Sequence, residues 1–205
     1  FKYSAEAIKD LDKSGLSILE ISHRSKKFSE IISKAKDLAF EISNLNSSEY
    51  EVLFLQGGAS HQYLMVASNF LNNVAGYINT GTWSEKAIAE AKYYGNAIEV
   101  ASSKDKNHTY IPKDIKVLQD LDYLHITSNN TIFGTQFHTF PDTKSPLIAD
   151  MSSDIFSRKI KFSNFDLIYA GAQKNIGAAG VTMVILKKEI LEKNKRKIPS
   201  ILSYQ

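Results

Sequence analysis

The sequence contains no cysteine, which excludes disulfides, thiolate catalysis and cysteine-based metal sites. It has no apolar run long enough to span a bilayer. Its opening, Phe1-Lys2-Tyr3-Ser4, leads into a polar amphipathic stretch and not into the apolar core of a signal peptide, a pattern compatible with a cytoplasmic location. A large excess of one charge is also missing. The formal net charge of +3 is too small to imply a nucleic-acid partner, and the basic cluster Lys193, Lys195, Arg196, Lys197 reads as a solvated helix end. Dinucleotide and nucleotide fingerprints are absent too, with neither G-x-G-x-x-G nor a Gly-Lys-Ser/Thr loop anywhere. What remains is an ordinary globular composition, 43% hydrophobic and 23% charged, over 205 residues, enough for one sizeable core.

The pattern along the chain is one of alternation. A first helix is expected between Ser4 and Gly15, then a short extended piece over Leu16–Ile21. Phe28, Ile31, Ile32, Ala35, Leu38, Ala39 and Ile42 recur at helical spacing. Short apolar runs follow at Val52–Leu55, Ala75–Asn79, Ala97–Ala101, Tyr123–Thr127, Leu147–Asp150, Leu167–Ala170 and Val181–Leu186. Helical segments separate several of them, one running to about Leu71, one over Trp83–Tyr94 and a last one over Lys188–Lys195. Ser102–His108 reads as a polar surface loop, and the residues from Ile198 on as chain leaving the domain. Short apolar strands alternating with helices predict an α/β domain with a mainly parallel sheet covered on both faces.

Chemistry concentrates where these strands end. Tyr169-Ala170-Gly171-Ala172-Gln173-Lys174-Asn175 places one lysine in a turn of small residues, where a bulky ligand has access to the backbone. Asp150 ends an earlier strand. A carboxylate and a lysine at two strand ends suit a pyridoxal phosphate site, the one partnering the ring nitrogen and the other the aldehyde. Gln56-Gly57-Gly58-Ala59-Ser60 offers backbone N–H groups and a helix N-terminus to a phosphate. Trp83, the single tryptophan, follows Asn79-Thr80-Gly81-Thr82 and offers a flat platform for a heteroaromatic ring. Taken singly, Lys174 reads as a solvated loop lysine, Asp150 as a turn or cap residue, Trp83 as core, and Asn129-Asn130-Thr131 as a turn. Together they describe a cofactor pocket.

In order along the chain, Gly-Gly-Ala-Ser, Asn-Thr-Gly-x-Trp-Ser, Asn-Asn-Thr-Ile-x-Gly-Thr, Ala-Asp-Met-Ser-Ser-Asp-Ile-x-Ser-Arg and Tyr-Ala-Gly-Ala-Gln-Lys-Asn resemble the phosphoserine aminotransferase family. The resemblance covers about Ser4 to Tyr204 and implies the large domain of a fold type I pyridoxal-phosphate transferase over residues 1–205, with 1–24 leading into it. It implies that Lys174 carries the cofactor as a Schiff base, that Asp150 partners the pyridine nitrogen and that Trp83 stacks on the ring. Thr131 would lie near the ring hydroxyl, and Gly58, Ala59 and Gln173 would contact the phosphate. His23 and Arg24 would bind the substrate anion, a task suited to a planar, permanently charged guanidinium.

The implied reaction moves an amino group between L-glutamate and 3-phosphohydroxypyruvate, giving O-phospho-L-serine and 2-oxoglutarate, in serine and by analogy pyridoxine biosynthesis. A cytoplasmic homodimer without metal, membrane or nucleic-acid partner goes with it. Ala178 stands where the family usually has proline. The family's N-terminal opening and C-terminal small domain have no counterpart here, which implies a fragment. The alternatives are a non-catalytic cofactor-binding or dimerisation piece of such an enzyme, or another fold type I aminotransferase.

Overall fold

The computed structural model describes residues 15–115, 120–194 and 196–205. The chain divides into two compact units, Phe1–Asn44 and Leu45–Gln205. The expected first helix ends at Gly15 and lies outside the described residues. Leu16–Ile21 is not extended: Ile18, Leu19 and Glu20 form a turn, closed by Glu20, whose amide bonds to the carbonyl of Ser17 and whose carboxylate accepts the Ser17 N–H. Helix α1, Lys26–Ser43, follows with both ends capped as helix termini require. Ser25 accepts the Phe28 N–H at 3.2 Å, and Asn44 stops the helix in the left-handed conformation.

The larger unit is built on a seven-stranded sheet. Its strands are β1 (Tyr50–Gln56), β2 (Val74–Asn79), β3 (Asn96–Ser102), β4 (Tyr123–Thr127), β7 (Leu147–Asp150), β8 (Leu167–Gly171) and β9 (Val181–Lys187), in the order β1-β9-β8-β7-β4-β2-β3. β5 (Asn129–Asn130) and β6 (Thr135–Gln136) form a separate small hairpin, where the sequence suggested a turn. Every neighbour pair from β8 to β3 is parallel, and β9 alone runs antiparallel to both of its neighbours. The reason is the connection. β8 and β9 are joined through residues 172–180 with no helix between them, too short a route for a parallel crossover. That link carries Lys174 and so returns it to the sheet edge where β8 ends.

β4, β7 and β8 are buried along their whole length, which is why they read as nearly unbroken apolar runs. Helices α2 (Ala59–Phe70) and α3 (Thr82–Ala91) follow β1 and β2. Beyond β9, the helix expected over Lys188–Lys195 is a 3₁₀ helix over Lys188–Lys193. Ser103 and His108 of the supposed surface loop are buried, hydrogen-bonded to each other at 3.2 Å. The tail also departs from expectation. Tyr204 is buried, stacks on Phe70 at 5.7 Å and donates its hydroxyl to Gln62 at 2.6 Å, while Asn69 bonds the Leu202 carbonyl at 2.7 Å. A stacked pair of this kind adds about 1 kcal/mol beyond its buried area, so the tail is part of the core.

One face of the sheet carries a buried aromatic layer with polar tips. Tyr77 and Tyr123 share a hydrogen bond at 2.6 Å, and His125 Nε2 shares one with Tyr169 at 2.8 Å. Burial pushes His125 down to about 3 from its ordinary 6.5, so the imidazole is neutral in the folded state. Below pH 6.5 the unfolded chain takes up a proton that the folded chain refuses, and stability falls as pH falls towards 3. Urea titrations should show a loss of about 1.4 kcal/mol per pH unit across this window. His125→Gln should flatten the slope between pH 6.5 and 5, and an unchanged slope would mean that His125 is not responsible.

Candidate active site

The parallel strands aim their carboxyl ends at one cavity of about 210 Å³. It is lined by Gly58, Ala59 and Ser60 after β1, Trp83 after β2, Thr127 and Asn129 at and beyond β4, Asp150 with Ser152 and Ser153 at β7, and Gln173 with Lys174 after β8; Tyr63 enters from α2. Crevices outside the carboxyl ends of such strands are where α/β sheets bind ligands.

Asp150 is 5% exposed. Burial pushes its carboxyl above the usual range, while hydrogen bonds from Ser152, the Lys174 charge and a hydrogen bond from Tyr63 pull the other way. Ser152 supplies two of these bonds, backbone N–H at 2.9 Å and hydroxyl at 2.6 Å, both to Oδ1. The strand thus ends in an Asx-type turn, with the carboxylate bonding its own backbone two residues on.

Lys174 sits in an exposed turn held from both sides. The amides of Ile176 and Gly177 bond the Ala172 carbonyl at 3.1 and 2.8 Å, and the Asn175 side chain donates to the Ile155 carbonyl. Lys174 Nζ stands 5.6 Å from the centre of the Trp83 ring. Trp83 is half-buried, not core, and its Nε1 donates to Thr131 Oγ1 at 3.2 Å. Thr131 therefore touches the tryptophan edge and is not itself in the cavity wall. Behind Trp83, Asn79 accepts the Gly81 amide and the Ser84 hydroxyl, each at 3.1 Å, which fixes the entry to α3.

At the start of α2 the capping position is Gly58, with no side chain to satisfy the first-turn N–H groups. Gly57 beside it has φ +97° and bonds the Gly180 carbonyl at 2.9 Å, so the loop is tied to the foot of β9. First-turn amides without a cap, on a helix of 12 residues, make an anion site. A further group waits for a partner: Thr127 Oγ1 is buried, lines the cavity and has no hydrogen bond. An anion cradle, a buried carboxylate, an amine over an aromatic ring and an unpartnered hydroxyl fit pyridoxal phosphate, which carries a phosphate, a ring nitrogen, an aldehyde and a ring hydroxyl.

The structure thus brings together Gly58, Ala59, Trp83, Asp150, Gln173 and Lys174. His23 and Arg24 belong to the other unit, in the exposed turn before α1. Sequence reading missed Tyr63, Ser152, Thr127 and Ser153, and took Asn129 only as part of the Asn129-Asn130-Thr131 segment. The Asp-x-Ser spacing was an available signal for Ser152, whereas Tyr63 reads simply as the inner face of α2.

An α/β unit with a lysine, a buried aspartate and a tryptophan at the carboxyl edge of a mainly parallel sheet has the construction of fold type I pyridoxal-phosphate enzymes. The chain belongs to the class-V aminotransferase family, whose model matches residues 6–199. It is 55% identical to the phosphoserine aminotransferase of Flavobacterium johnsoniae, covering 100% of this chain and 58% of that protein. Identity to the Bacillus subtilis phosphoserine aminotransferase is 52%, over 95% of this chain and 55% of that one. The solved phosphoserine aminotransferase of Bacillus circulans subsp. alkalophilus superposes with a TM-score of 0.92 at 42% identity, covering 99% of this chain and 57% of that one. A pyridoxal-phosphate-bound phosphoserine aminotransferase from Trichomonas vaginalis gives 0.90 at 33% identity, over 99% and 58%. The chain spans somewhat more than half the length of these relatives. No helix among the described residues is long and apolar enough to cross a membrane.

Proposed function

We propose that this chain is the cofactor-binding large domain of an enzyme that transfers the amino group of L-glutamate to 3-phosphohydroxypyruvate. The observation that carries the reading is the meeting of Asp150, Lys174, Trp83 and the uncapped start of α2 around one cavity. When bound, pyridoxal phosphate supplies an aldehyde for the amine and a ring that accepts electrons from the substrate Cα. The α2 first turn, Gly58 and Ala59 with Gln173 beside them, would hold the phosphate. Asp150 would keep a proton on the ring nitrogen by placing a charge next to it, in a site dry enough for that charge to act strongly. Trp83 would fix the ring plane, and the hydroxyls that would serve the ring oxygen are Thr127 in the cavity wall and Thr131 at the tryptophan edge.

Lys174 Nζ is the amine that would hold the aldehyde group, and it would serve as the base that moves the proton at the substrate Cα. His23 and Arg24 are assigned to the substrate anion on the family resemblance, which suits a guanidinium as a planar, paired set of donors to carboxylate or phosphate. Serine biosynthesis goes with the name of the relatives, and a homodimer in the cytoplasm that also serves pyridoxine biosynthesis completes the reading on the family resemblance alone.

Borohydride reduction after incubation with pyridoxal phosphate, followed by peptide mass mapping, tests the site directly. A phosphopyridoxyl group confined to Lys174 is the expected result. Label spread over surface lysines, or on Lys86 instead, would remove Lys174 from its assigned role.

A further inference from the structure

Asp150 is held from two sides, and only one of them is its neighbour in sequence. Oδ1 receives both Ser152 donors, which occupy its two lone pairs. Oδ2 faces Tyr63, whose hydroxyl lies 3.4 Å away. Tyr63 comes from a different element, the second turn of α2, and is 4% exposed. Its hydroxyl has Asp150 Oδ2 as its hydrogen-bond partner. A buried hydroxyl requires an acceptor, and an ionised carboxylate is an acceptor only. Burial and the adjacent Asp150 charge keep the phenol protonated, so Tyr63 is the donor.

The ring has little freedom to leave. It meets the Tyr169 ring edge-on at 6.2 Å and 66°, and Tyr169 is in turn bonded to His125 and lies beside Asp150 in the sheet register. The ionisable groups around Asp150 are Tyr63 from α2, Tyr169 from β8 and Lys174 from the turn after β8, with His125 of β4 beyond Tyr169.

We propose that Tyr63 is a positioning residue for Asp150, donating to Oδ2 so that the carboxylate stays ionised and Oδ2 presents its one remaining acceptor site to the ring nitrogen of the cofactor. The proposal rests on the assignment of Asp150 as that nitrogen's partner. It divides the carboxylate: Ser152 saturates Oδ1 and anchors it, and Oδ2 is the working oxygen.

The test follows the Asp150 carboxyl by infrared titration of the cofactor-free chain, with Asp150→Asn identifying its band. Tyr63→Phe keeps the ring and its contact with Tyr169 but removes the donor. It should raise the Asp150 protonation midpoint by about one pH unit and weaken pyridoxal phosphate binding roughly tenfold. A second arm places 3-fluorotyrosine at position 63, which preserves shape and strengthens the donor; the midpoint should then move down. A midpoint that stays at the parent value in either substituted protein overturns the proposal, and the second arm decides it if Tyr63→Phe does not fold. If instead Asp150→Asn binds pyridoxal phosphate as tightly as the parent chain, the assignment of Asp150 fails, whatever Tyr63 does to the titration.

Discussion

On the proposed function, Lys174→Ala in a protein of its relatives' length should slow amino transfer from L-glutamate to 3-phosphohydroxypyruvate by about four orders of magnitude or more. Two tasks disappear together. Lys174 Nζ is the amine placed over the Trp83 ring in the cavity wall, and it is also the group assigned to move the substrate proton. Neither task can pass to Asp150, a buried carboxylate committed to Ser152 and Tyr63. The groups assigned to substrate anions are untouched, so the loss should fall on kcat while KM changes little.

Lys174→Arg makes the argument sharper. It keeps the positive charge near Asp150 but cannot deprotonate in a protein, so it should be about as inactive as alanine. If charge alone were required, arginine would restore the rate. Lys86 offers the matching control. Its Nζ also lies over Trp83, at 5.1 Å from the ring centre, yet it is not part of the cavity lining. Lys86→Ala should therefore stay close to the parent rate, and a collapse there combined with an active Lys174→Ala would transfer the role to Lys86.

Much of this site was legible because a parallel sheet simplifies the reading. Buried strands such as Leu147–Asp150 and Tyr123–Thr127 show as short apolar runs, and in this architecture whatever follows a strand's carboxyl end faces the ligand. Asp150, Lys174, Trp83 and Gly58 each occupy such a position, so four separate readings converge on one cavity. The partners of those residues were not legible. Tyr63 reaches Asp150 across 87 positions of sequence, and nothing in the helical pattern of α2 separates a tyrosine that packs from one that also donates a hydrogen bond.

The C-terminal tail was missed for a related reason. Its few apolar residues show no period, and it is fixed by a single stacked ring and by hydrogen bonds to Gln62 and Asn69, which are specified by shape and not by hydropathy. Leu16–Ile21 looked extended because Leu16, Ile18, Leu19 and Ile21 are apolar and branched, but a local bond from Ser17 to the Glu20 carboxylate closes it into a turn.

Gly81→Ala is expected to cost roughly 3 kcal/mol or more of stability in urea unfolding. Gly81 has φ +131° and ψ −160°, a conformation open in practice only to glycine, and the backbone strain alone accounts for about 1–3 kcal/mol. The added methyl also has nowhere to go. It would lie 2.4 Å from the Phe133 ring and 2.8 Å from Asn130 Nδ2, so the β5–β6 hairpin and the α3 entry cannot both keep their places.

Because Trp83 is two residues further on and its Nε1 bonds Thr131 of the same hairpin connection, the damage should reach the cavity as weaker pyridoxal phosphate binding. Gly134→Ala separates the two causes. Gly134 also has positive φ, +69°, but an added methyl there meets no atom within 4 Å. It should cost about 1–2 kcal/mol, the ordinary penalty of a left-handed residue, and leave the cofactor affinity in place. Equal losses at the two glycines would mean that backbone conformation alone sets the cost. A larger loss at Gly81, accompanied by weakened cofactor binding, would show that the close approach of Phe133 and Asn130 is what holds the tryptophan over the site.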